Sequence, residues 1–514
     1  MKNAFFSVAV CAALTCAAGE GALPINIGDR REVMWDDFLV DTAKTTARRV
    51  LHQPEYAGVV LRREKPWEAQ GGHYFGVFPD HDAKGDYLRM YYEVTVPRTK
   101  DDQDSWSKSL NKTCVCYAES RDGGVTWIRP SLGICDYHGS KDNNIILDYK
   151  SLDNAWDNFA VFKDSNPNCP PDELYKAQGA ITRTNTWTLG YFLSADGIHF
   201  REGGRLIQSP GAFDSYNVSF WDPRRKEYLL YYRSYHDQTA PHRFADNKIR
   251  DINWATSKDY RNWTPGKRLD FGGGEDYALY INNVQPYPRA PHVYVGFPVR
   301  YAQRKEWTAN YDRLPDPEDR RRRMQEPIGE PRFGLSVTDC AFMMSRDGAN
   351  FLRYDEAFIR PGLERHGNWV YGDCYMAYGF IETPVRFGDG REFTFFVKNA
   401  GRVLTEVMLE RYCLRIDGFA SRQATYAPQK VVTKPLIYKG SRLTINFSTS
   451  ARGCVFVTIR DADGRTAKSV ELFGDAIDRE VDFELGSVAE LSGKPVTLEF
   501  EMCDADLYSF KFDD

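Results

Sequence analysis

The chain has 514 residues, enough for two or three domains, and its formal net charge is −5. This balance argues against electrostatic capture of nucleic acid, so no nucleic-acid partner is expected. Aromatic residues make up 14% of the chain, a content typical of β-sheet packing.

The N-terminus has the pattern of a secretory signal peptide at residues 1–19. Lys2 supplies a positive charge, residues 5–18 form an apolar run, and small residues up to Gly19 suit cleavage. The run is too short to span a membrane, and no later stretch is long enough to do so. Cys16 leaves lipid anchoring open, but the preceding Ala-Leu-Thr is a poor lipobox. We therefore expect a secreted or periplasmic protein without a membrane span.

A short pattern, Ser-x-Asp-(Gly)-x-x-aromatic, occurs four times and follows a β-rich run each time. The copies lie at residues 120–127, 194–200, 257–263 and 345–351. An Asp side chain accepts hydrogen bonds from backbone groups ahead of it, Gly accepts a positive φ, and the aromatic residue restarts a strand. The pattern therefore predicts a tight turn between strands. Its recurrence at intervals of 63 to 88 residues indicates repeated sheets around an axis, as in a β-propeller.

The strand-like runs around these turns fall into five groups of three. In chain order they are 72–79, 87–96 and 113–120; 156–162, 175–184 and 190–194; 216–221, 228–235 and 252–257; 277–287, 292–300 and 340–345; and 371–381, 393–398 and 410–417. Each group predicts one blade, and residues 32–40 are expected to complete the last blade and close the ring. Helical periodicity is nearly absent, and the charged stretch 316–325 is expected to form a solvated insertion or a short helix.

The character of the chain changes after Gly418. Short alternating runs at 443–447, 454–459, 481–485 and 496–500 have the spacing of a β-sandwich. The predicted fold class is all-β, with a five-bladed β-propeller at residues 30–420 followed by a C-terminal β-sandwich at 425–514. Nine cysteines follow the signal peptide without a C-x-x-C pair, so we expect mostly buried thiols and no metal–thiolate site.

This architecture resembles that of glycoside hydrolases of families 32 and 43. Three tail motifs, Arg-Ile-Asp-Gly-Phe at 415–419, Thr-Lys-Pro-Leu at 433–436 and Asp-Ala-Asp-Leu-Tyr-Ser-Phe at 504–510, look like those of secreted bacterial proteins described as family-32/43-like. The family-32 motifs Trp-x-Asn-Asp-Pro-Asn-Gly, Arg-Asp-Pro and Glu-Cys are missing. The resemblance implies an enzyme that hydrolyses a glycosidic bond in a plant, algal or host glycan, with two carboxylates in the axial pocket.

One acidic residue stands before the first strand of each blade, beside aromatic residues. These candidate catalytic carboxylates are Glu68, Asp157, Asp214, Glu275 and Asp373. Propeller ligands bind where the inner strands begin, and a glycosidase needs one carboxyl group as acid and another as nucleophile or base. The resemblance implies that Glu68 is the nucleophile or base and that Asp157 orients the substrate. It leaves the acid open between Asp214 and Glu275, and a turn or capping role is the structural alternative for each carboxylate.

Seven further residues are candidates for binding an oligosaccharide or polysaccharide substrate: Trp67, His73, Tyr216, Asp276, Tyr280, Arg300 and Trp369. The aromatic side chains would stack on sugar rings. His73 would bond a sugar hydroxyl, and Arg300 would bind a carboxylate or sulfate on an acidic sugar. Packing is the alternative for the aromatic residues, and an ion pair is the alternative for Arg300.

Other functions stay open from the sequence. The missing family-32 motifs favour a carbohydrate-binding propeller without catalysis. A polysaccharide lyase is a third hypothesis, with His73 or a Tyr as base and Arg300 neutralising a uronate. Sialidases fit less well, because their Arg-Ile-Pro signature is not readable, although Arg233, Arg300 and Arg411 would serve as inner arginines. No phosphate loop, Gly-x-Ser-x-Gly elbow or His-Glu-x-x-His motif occurs, so no cofactor or metal is expected, and the oligomeric state stays open.

Overall fold

The computed structural model describes residues 23–68, 74–95, 113–148, 151–154, 158–181, 188–207, 212–237, 248–325, 331–385, 388–399 and 407–514. The expected signal peptide, His73 and Asp157 lie outside these ranges. The chain divides into two compact units, Arg49–Arg422 and the combination of Met1–Arg48 with Gln423–Asp514. Both units are built from strands.

The larger unit is a five-bladed β-propeller, as the sequence predicts. Each blade is a sheet of antiparallel strands. Blade 1 contains Phe75–Asp82, Gly85–Thr95, Thr113–Ser120 and Ile145–Leu147; blade 2 Ala160–Lys163, Tyr175–Ile181, Thr188–Ser194 and Arg201–Ile207; blade 3 Val218–Asp222, Glu227–Asp237, Lys248–Ser257 and Lys267–Arg268; blade 4 Gln285–Tyr287, Ala290–Gly296, Met343–Ser345 and Phe351–Arg353; and blade 5 Tyr375–Met376, Ile381–Pro384, Arg391–Lys398, Val407–Arg415 and Glu55–Arg62.

The ring is closed by strand Glu55–Arg62, which pairs with Val407–Arg415 and forms the outer edge of blade 5. The prediction that residues 32–40 close the ring is therefore wrong. Glu32–Val33 instead pairs with the long C-terminal strand Val496–Asp513 in the other unit. An N-terminal strand in the last blade ties the two ends of the propeller together and covers an edge that would otherwise be exposed.

The four repeated turns each join the third strand of a blade to its outer strand, or in blade 1 lead toward it. In the fourth copy, Ser345 Oγ accepts a hydrogen bond from the Gly348 amide at 2.9 Å. Asp347 Oδ1 accepts from the amides of Ala349 and Asn350 at 2.9 and 2.8 Å. The other three Asp residues accept amide hydrogen bonds in the same way. Local side-chain bonds therefore build each turn.

Two of these turns also dock on the preceding blade. Tyr91 in blade 1 donates its hydroxyl to the Gly197 carbonyl in the blade 2 turn at 2.9 Å. Tyr231 in blade 3 donates to the Gly348 carbonyl in the blade 4 turn at 2.8 Å. The repeated motif is therefore a joint between neighbouring blades as well as a strand connection.

An insertion in blade 4 carries the α-helices that the structure describes in the propeller. The charged stretch forms the α-helix Pro317–Gln325, followed by a short helix at Arg332–Leu335. Strands Val299–Gln303 and Ser336–Cys340 flank the insertion and pair with each other. Short 3₁₀ helices occur at Ser151–Asn154 and Pro171–Glu173. No helix among the described residues is long and apolar enough to cross a membrane.

The second unit is a strand-rich sandwich that draws strands from both ends of the chain. Its strands are Ile25–Gly28, Glu32–Val33, Gln429–Val432, Leu436–Tyr438, Arg442–Asp461, Thr466–Ser469, Asp475–Glu480, Phe483–Leu485 and Val496–Asp513. A short helix occurs at Val488–Leu491. The boundaries between the two units fall within strands Arg48–Leu51 and Ala420–Ala424. Alternate residues of the long strand, including Val455, Val457 and Ile459, face the core. Residues 30–48, expected in the propeller, belong to this unit because Met34, Leu39 and neighbouring residues pack into its core.

Candidate functional site

Five tyrosines from four blades meet where the inner strands begin. This tyrosine cluster consists of Tyr74, Tyr216, Tyr280, Tyr371 and Tyr375. The rings of Tyr74 and Tyr216 stack with centroids 5.4 Å apart, and Tyr280 lies 5.7 Å from Tyr375. Tyr74 and Tyr375 join the two pairs at 6.2 Å, and Tyr371 lies 5.9 Å from Tyr280. Because inner strands surround the propeller axis, the cluster lies at the axial end of the ring.

Tyr74, Tyr280 and Tyr375 are buried and keep their protons. Burial raises the pKa of Tyr74, Tyr280 and Tyr375 well above the ordinary value, and neighbouring tyrosines or Asp214 raise it further. These three hydroxyls are therefore neutral across the physiological range, and a neutral hydroxyl both donates and accepts hydrogen bonds. Four of the five residues keep between 7% and 9% of their surface exposed, and Tyr216 keeps 2%.

The carboxylate of Asp214 lies beside the tyrosine cluster. Half of its side chain is exposed, and its Oδ2 lies 3.6 Å from Nη2 of Arg233. Its charge is felt by Tyr74 and Tyr280, whose pKa values are raised first by burial and then in part by Asp214. The turn that carries it is fixed on the next blade, because Ser215 Oγ donates to the Tyr280 carbonyl at 2.7 Å. The backbone that carries this solvent-accessible carboxylate is therefore anchored beside the buried rings.

Two buried arginines face the same tyrosine ring. The guanidinium carbon of Arg233 lies 5.4 Å from the centre of Tyr280, and that of Arg250 lies 5.7 Å from it. Arg250 also lies 4.5 Å from the Tyr301 ring. Burial lowers the pKa of both arginines, but neighbouring tyrosines, with Asp214 in the case of Arg233, outweigh it and hold both values above the ordinary one. Both side chains are thus cations in contact with the site.

Glu93 of blade 1 is a buried carboxylate that the sequence analysis missed. It is 1% exposed, and its Oε1 accepts a hydrogen bond from the Phe159 amide at 2.5 Å. The pKa of Tyr216 is raised by burial and, next, by the charge of Glu93. Glu93 therefore connects blade 1 to the start of the inner strand of blade 2, beneath the cluster. Glu93 lies inside a strand of blade 1. The sequence pattern of an acidic residue ahead of an inner strand therefore does not predict it.

Glu68 and Trp67 lie in a closed network of blade 1. Glu68 is fully buried and accepts hydrogen bonds from the Tyr92 hydroxyl and Arg129 Nε, both at 2.8 Å. The amides of residues 64 and 65 donate to its other oxygen. Trp67 Nε1 donates to Asn144 Oδ1 at 2.9 Å, and the indole ring is buried. The structure thus gives both residues structural partners that do not belong to the tyrosine cluster.

Asp373 and Trp369 shape the entry to blade 5. Asp373 is fully buried, and its Oδ2 accepts a hydrogen bond from the Val370 amide at 3.0 Å. Trp369 packs on Tyr311, Leu314 and Leu335 around the insertion, and its indole nitrogen donates to a backbone carbonyl. These contacts are those of a turn and a packing residue.

Glu275 and Asp276 lie on the glycine-rich loop before blade 4. Glu275 is exposed and lines a surface depression of about 390 Å³ with Arg268 and Phe271, a set that shares no member with the tyrosine cluster. Asp276 Oδ2 lies 2.8 Å from Nε2 of His236, whose Nδ1 lies 3.0 Å from Oδ2 of Asp251. Asp276 is therefore part of a hydrogen-bonded group around His236.

Arg300 is held in a two-point ion pair. Its Nε and Nη2 each lie 2.6 Å from an oxygen of Asp339 on the neighbouring strand of the insertion. Arg300 was predicted to bind an acidic sugar, but the donors that would do so are already paired with Asp339. Of the candidate residues, the structure brings together Asp214, Tyr216 and Tyr280. In the described part of the chain, no three His, Cys, Asp or Glu side chains converge as a metal site.

No protein-family model matches the chain, and no curated protein matches it in sequence. Solved structures that match include an N-acetylgalactosamine deacetylase from F. plautii in complex with blood group B trisaccharide, 13% identical, covering 71% of this chain and 94% of its own, with a TM-score of 0.41. A glycoside hydrolase family 43 arabinoxylan arabinofuranohydrolase from Bacillus subtilis is 11% identical, covering 86% of this chain and 79% of its own, with a TM-score of 0.30. A family 32 β-fructofuranosidase from Bombyx mori is 10% identical, covering 90% and 94%, with a TM-score of 0.38. At these levels no catalytic residue or substrate transfers to this chain.

Proposed function

We propose that the chain is a glycoside hydrolase whose active site is the tyrosine cluster around Asp214. The observation that supports this most is a half-exposed carboxylate fixed among buried tyrosines at the axial start of the inner strands. Carboxylates act on glycosidic bonds as acid, base or nucleophile. Aromatic rings stack on sugar faces, and neutral hydroxyls bond sugar hydroxyl groups.

Hydrolysis requires a second carboxylate, and we propose Asp157 for this role. Asp157 comes three residues before the inner strand Ala160–Lys163, just as Asp214 comes four residues before Val218–Asp222. Glu93 would act as a positioning residue, because it binds the amide of Phe159, two residues beyond Asp157. The substrate class is an oligosaccharide or polysaccharide from a plant, algal or host source.

The separation of the two carboxylates would decide the stereochemistry of the product. A distance of about 5–5.5 Å favours retention through a covalent intermediate, and about 6.5–9.5 Å favours inversion by an activated water. In either case one carboxyl group protonates the leaving oxygen, and the other attacks the anomeric carbon or removes a proton from water. Nuclear magnetic resonance of the first product formed would identify the anomer.

The test is turnover on a panel of glycans by the wild type, Asp214→Asn and Asp157→Asn. Each substitution is expected to lower turnover by about 10²–10⁴-fold, the usual contribution of a positioned acid or base, without lowering the melting temperature. Asp172→Asn is the matched control, since Asp172 is an exposed carboxylate of blade 2 paired with Arg201 at 2.9 Å. Unchanged turnover in Asp214→Asn would refute the site. Binding of glycans without turnover by the wild type would indicate a carbohydrate-binding protein instead.

A polysaccharide lyase is the second candidate, because the described site holds more tyrosines and arginines than carboxylates. In that reaction a tyrosine would remove the proton from the ring carbon that bears the uronate carboxylate. An arginine would neutralise the negative charge that develops on that carboxylate. The raised pKa values of Tyr74, Tyr280 and Tyr375 count against a tyrosinate base, which is why we prefer hydrolysis. A product with an unsaturated sugar, detected by near-ultraviolet absorbance, would decide for the lyase.

A further inference from the structure

Arg233 presents open hydrogen-bond donors within the candidate site. The residue is only 4% exposed, and its Nε donates to the Ala212 carbonyl at 2.6 Å. Among the described residues, no oxygen accepts a hydrogen bond from its Nη1 or Nη2, and the nearest carboxylate oxygen, on Asp214, is 3.6 Å away. The Nη1 and Nη2 atoms are not fully buried, so the fork is open to an acceptor carried by a ligand.

A second cation stands at the same place. Arg250, also buried, shares the Tyr280 ring with Arg233, at 5.7 and 5.4 Å from the ring centre. Tyr235 lies between them as well, 5.2 Å from Arg233 and 5.8 Å from Arg250. Two like charges in one buried place raise the local potential, which a negatively charged group would lower. The planar fork of an arginine matches a carboxylate or a sulfate with two parallel hydrogen bonds.

We propose that the site recognises an acidic sugar, whose carboxylate or sulfate binds the fork of Arg233 with Arg250 as the second cation. This inference rests on the proposed function and gives it a substrate class. The anion is carried on a sugar rather than free, because the tyrosine cluster offers ring faces and hydroxyls that a free anion does not use.

The first experiment uses the wild type alone. Isothermal titration compares a glucuronate-bearing oligosaccharide with its carboxyl-reduced form, and a sulfated with an unsulfated oligosaccharide; inorganic sulfate is the free-anion arm. We expect at least about tenfold tighter binding of one acidic member than of its neutral counterpart, since a hydrogen bond to a charged group is worth about that factor or more. The preference should weaken as salt is added. Which acidic member is favoured identifies the anion.

The second experiment uses Arg233→Gln and Arg233→Lys. Arg233→Gln should remove the preference for the acidic sugar, and Arg233→Lys should retain part of it, because the charge remains while the fork is lost. Arg31→Lys is the matched control. Arg31 is also a buried arginine, with bonds to Ser509 and Asp478, but it belongs to the sandwich unit. Melting temperatures check that each variant is folded.

The outcomes separate this inference from the proposed function. Equal binding of acidic and neutral sugars by the wild type, with turnover of neutral glycans, overturns the acidic substrate and leaves the hydrolase standing. Binding of inorganic sulfate as tightly as the acidic sugar overturns recognition of a sugar-borne anion. Failure of the wild type to bind any glycan overturns both. An acidic preference that survives unchanged in folded Arg233→Gln overturns the assignment to Arg233.

Discussion

The ring of Tyr216 stacks on that of Tyr74, with centroids 5.4 Å apart and an angle of 26° between the planes. This pair joins blade 3 to blade 1 across the axial end of the propeller. The hydroxyl of Tyr216 is buried without a hydrogen-bond partner among the described residues. It lies against the backbone of Gly76, where a Cβ atom would come within 2.4 Å of the hydroxyl oxygen. The hydroxyl therefore leaves no room for a side chain at position 76.

The first prediction concerns this contact. Tyr216→Phe should stabilise the propeller by about 1 kcal/mol, because it removes a buried hydroxyl that lacks a partner. Gly76→Ala should destabilise it, because the new methyl group collides with that hydroxyl. The double variant should recover part of the loss, since the nearest ring carbon of Tyr216 would be 3.7 Å from the new Cβ. Chemical denaturation of the four proteins measures the coupling.

An additive result would contradict this prediction. It would mean that the two residues do not share a contact. Destabilisation of Tyr216→Phe by more than about 1 kcal/mol would show that the hydroxyl has a partner, such as an ordered water.

The second prediction separates Glu68 from the chemistry. Glu68→Gln should cost about 3–5 kcal/mol of stability, because it leaves the buried Arg129 without its carboxylate. Turnover per folded molecule on any glycan that the wild type cleaves should stay near the wild-type value. Thermal denaturation and the specific activity of the folded fraction measure the two effects. Loss of turnover with an unchanged melting temperature would instead identify Glu68 as a catalytic group.

Most of the fold was predictable, because local chemistry builds it. The Ser-x-Asp turns form through bonds within six residues, so their sequence signature survives wherever the turn occurs. Ring closure was not predictable in the same way. Residues 32–40 were the strand expected to close the ring, and no strand was predicted at 55–62. Which strand closes the ring depends on pairing with distant partners. Met34 and Leu39 are buried in the core of the sandwich. The strand Glu55–Arg62 is half exposed, which suits the outer edge of a blade.

The candidate site was predictable only in part. The rule that site residues lie where an inner strand begins predicted Asp214, Tyr216 and Tyr280, and the structure brings these three together. The same rule also selected Glu68 and Asp373, whose partners lie in the blade rather than in the cluster. The partner of Asp373 is local, but Glu68 is bonded to Arg129, which lies 61 residues away in the sequence. No periodicity or motif in the sequence records that contact.

The third prediction concerns the turn that joins blades 3 and 4. Gly348 has a φ of 78°, and a Cβ there would lie 2.8 Å from the hydroxyl oxygen of Tyr231. Gly348→Ala should therefore destabilise the propeller through both backbone strain and collision. Tyr231→Phe should cost about 1 kcal/mol, the usual worth of one hydrogen bond, because it removes the bond to the Gly348 carbonyl. Urea denaturation measures both, and an unchanged midpoint in Gly348→Ala would contradict the close packing.

The fourth prediction is a pH dependence of stability centred on Asp80. Burial raises the pKa of Asp80, but hydrogen bonds from Lys163 and Tyr175, together with the charge of Arg89, outweigh it and lower the pKa to about 2. The folded state therefore binds the proton less tightly than the unfolded state, whose Asp has the ordinary value of 3.8. The ionised carboxylate stabilises the fold fully above about pH 4, and this contribution is lost as the pH falls toward 2.

The contribution amounts to about 2 kcal/mol at neutral pH, from a difference of nearly two pKa units. Asp80→Asn removes the titrating group and leaves Lys163 and Arg89 without its charge. The stability gap between the wild type and this variant, measured by urea denaturation, should be largest above about pH 4 and should narrow by about 2 kcal/mol on approach to pH 2. A gap that stays constant from pH 5 to about pH 2 would show that Asp80 keeps an ordinary pKa in the folded protein.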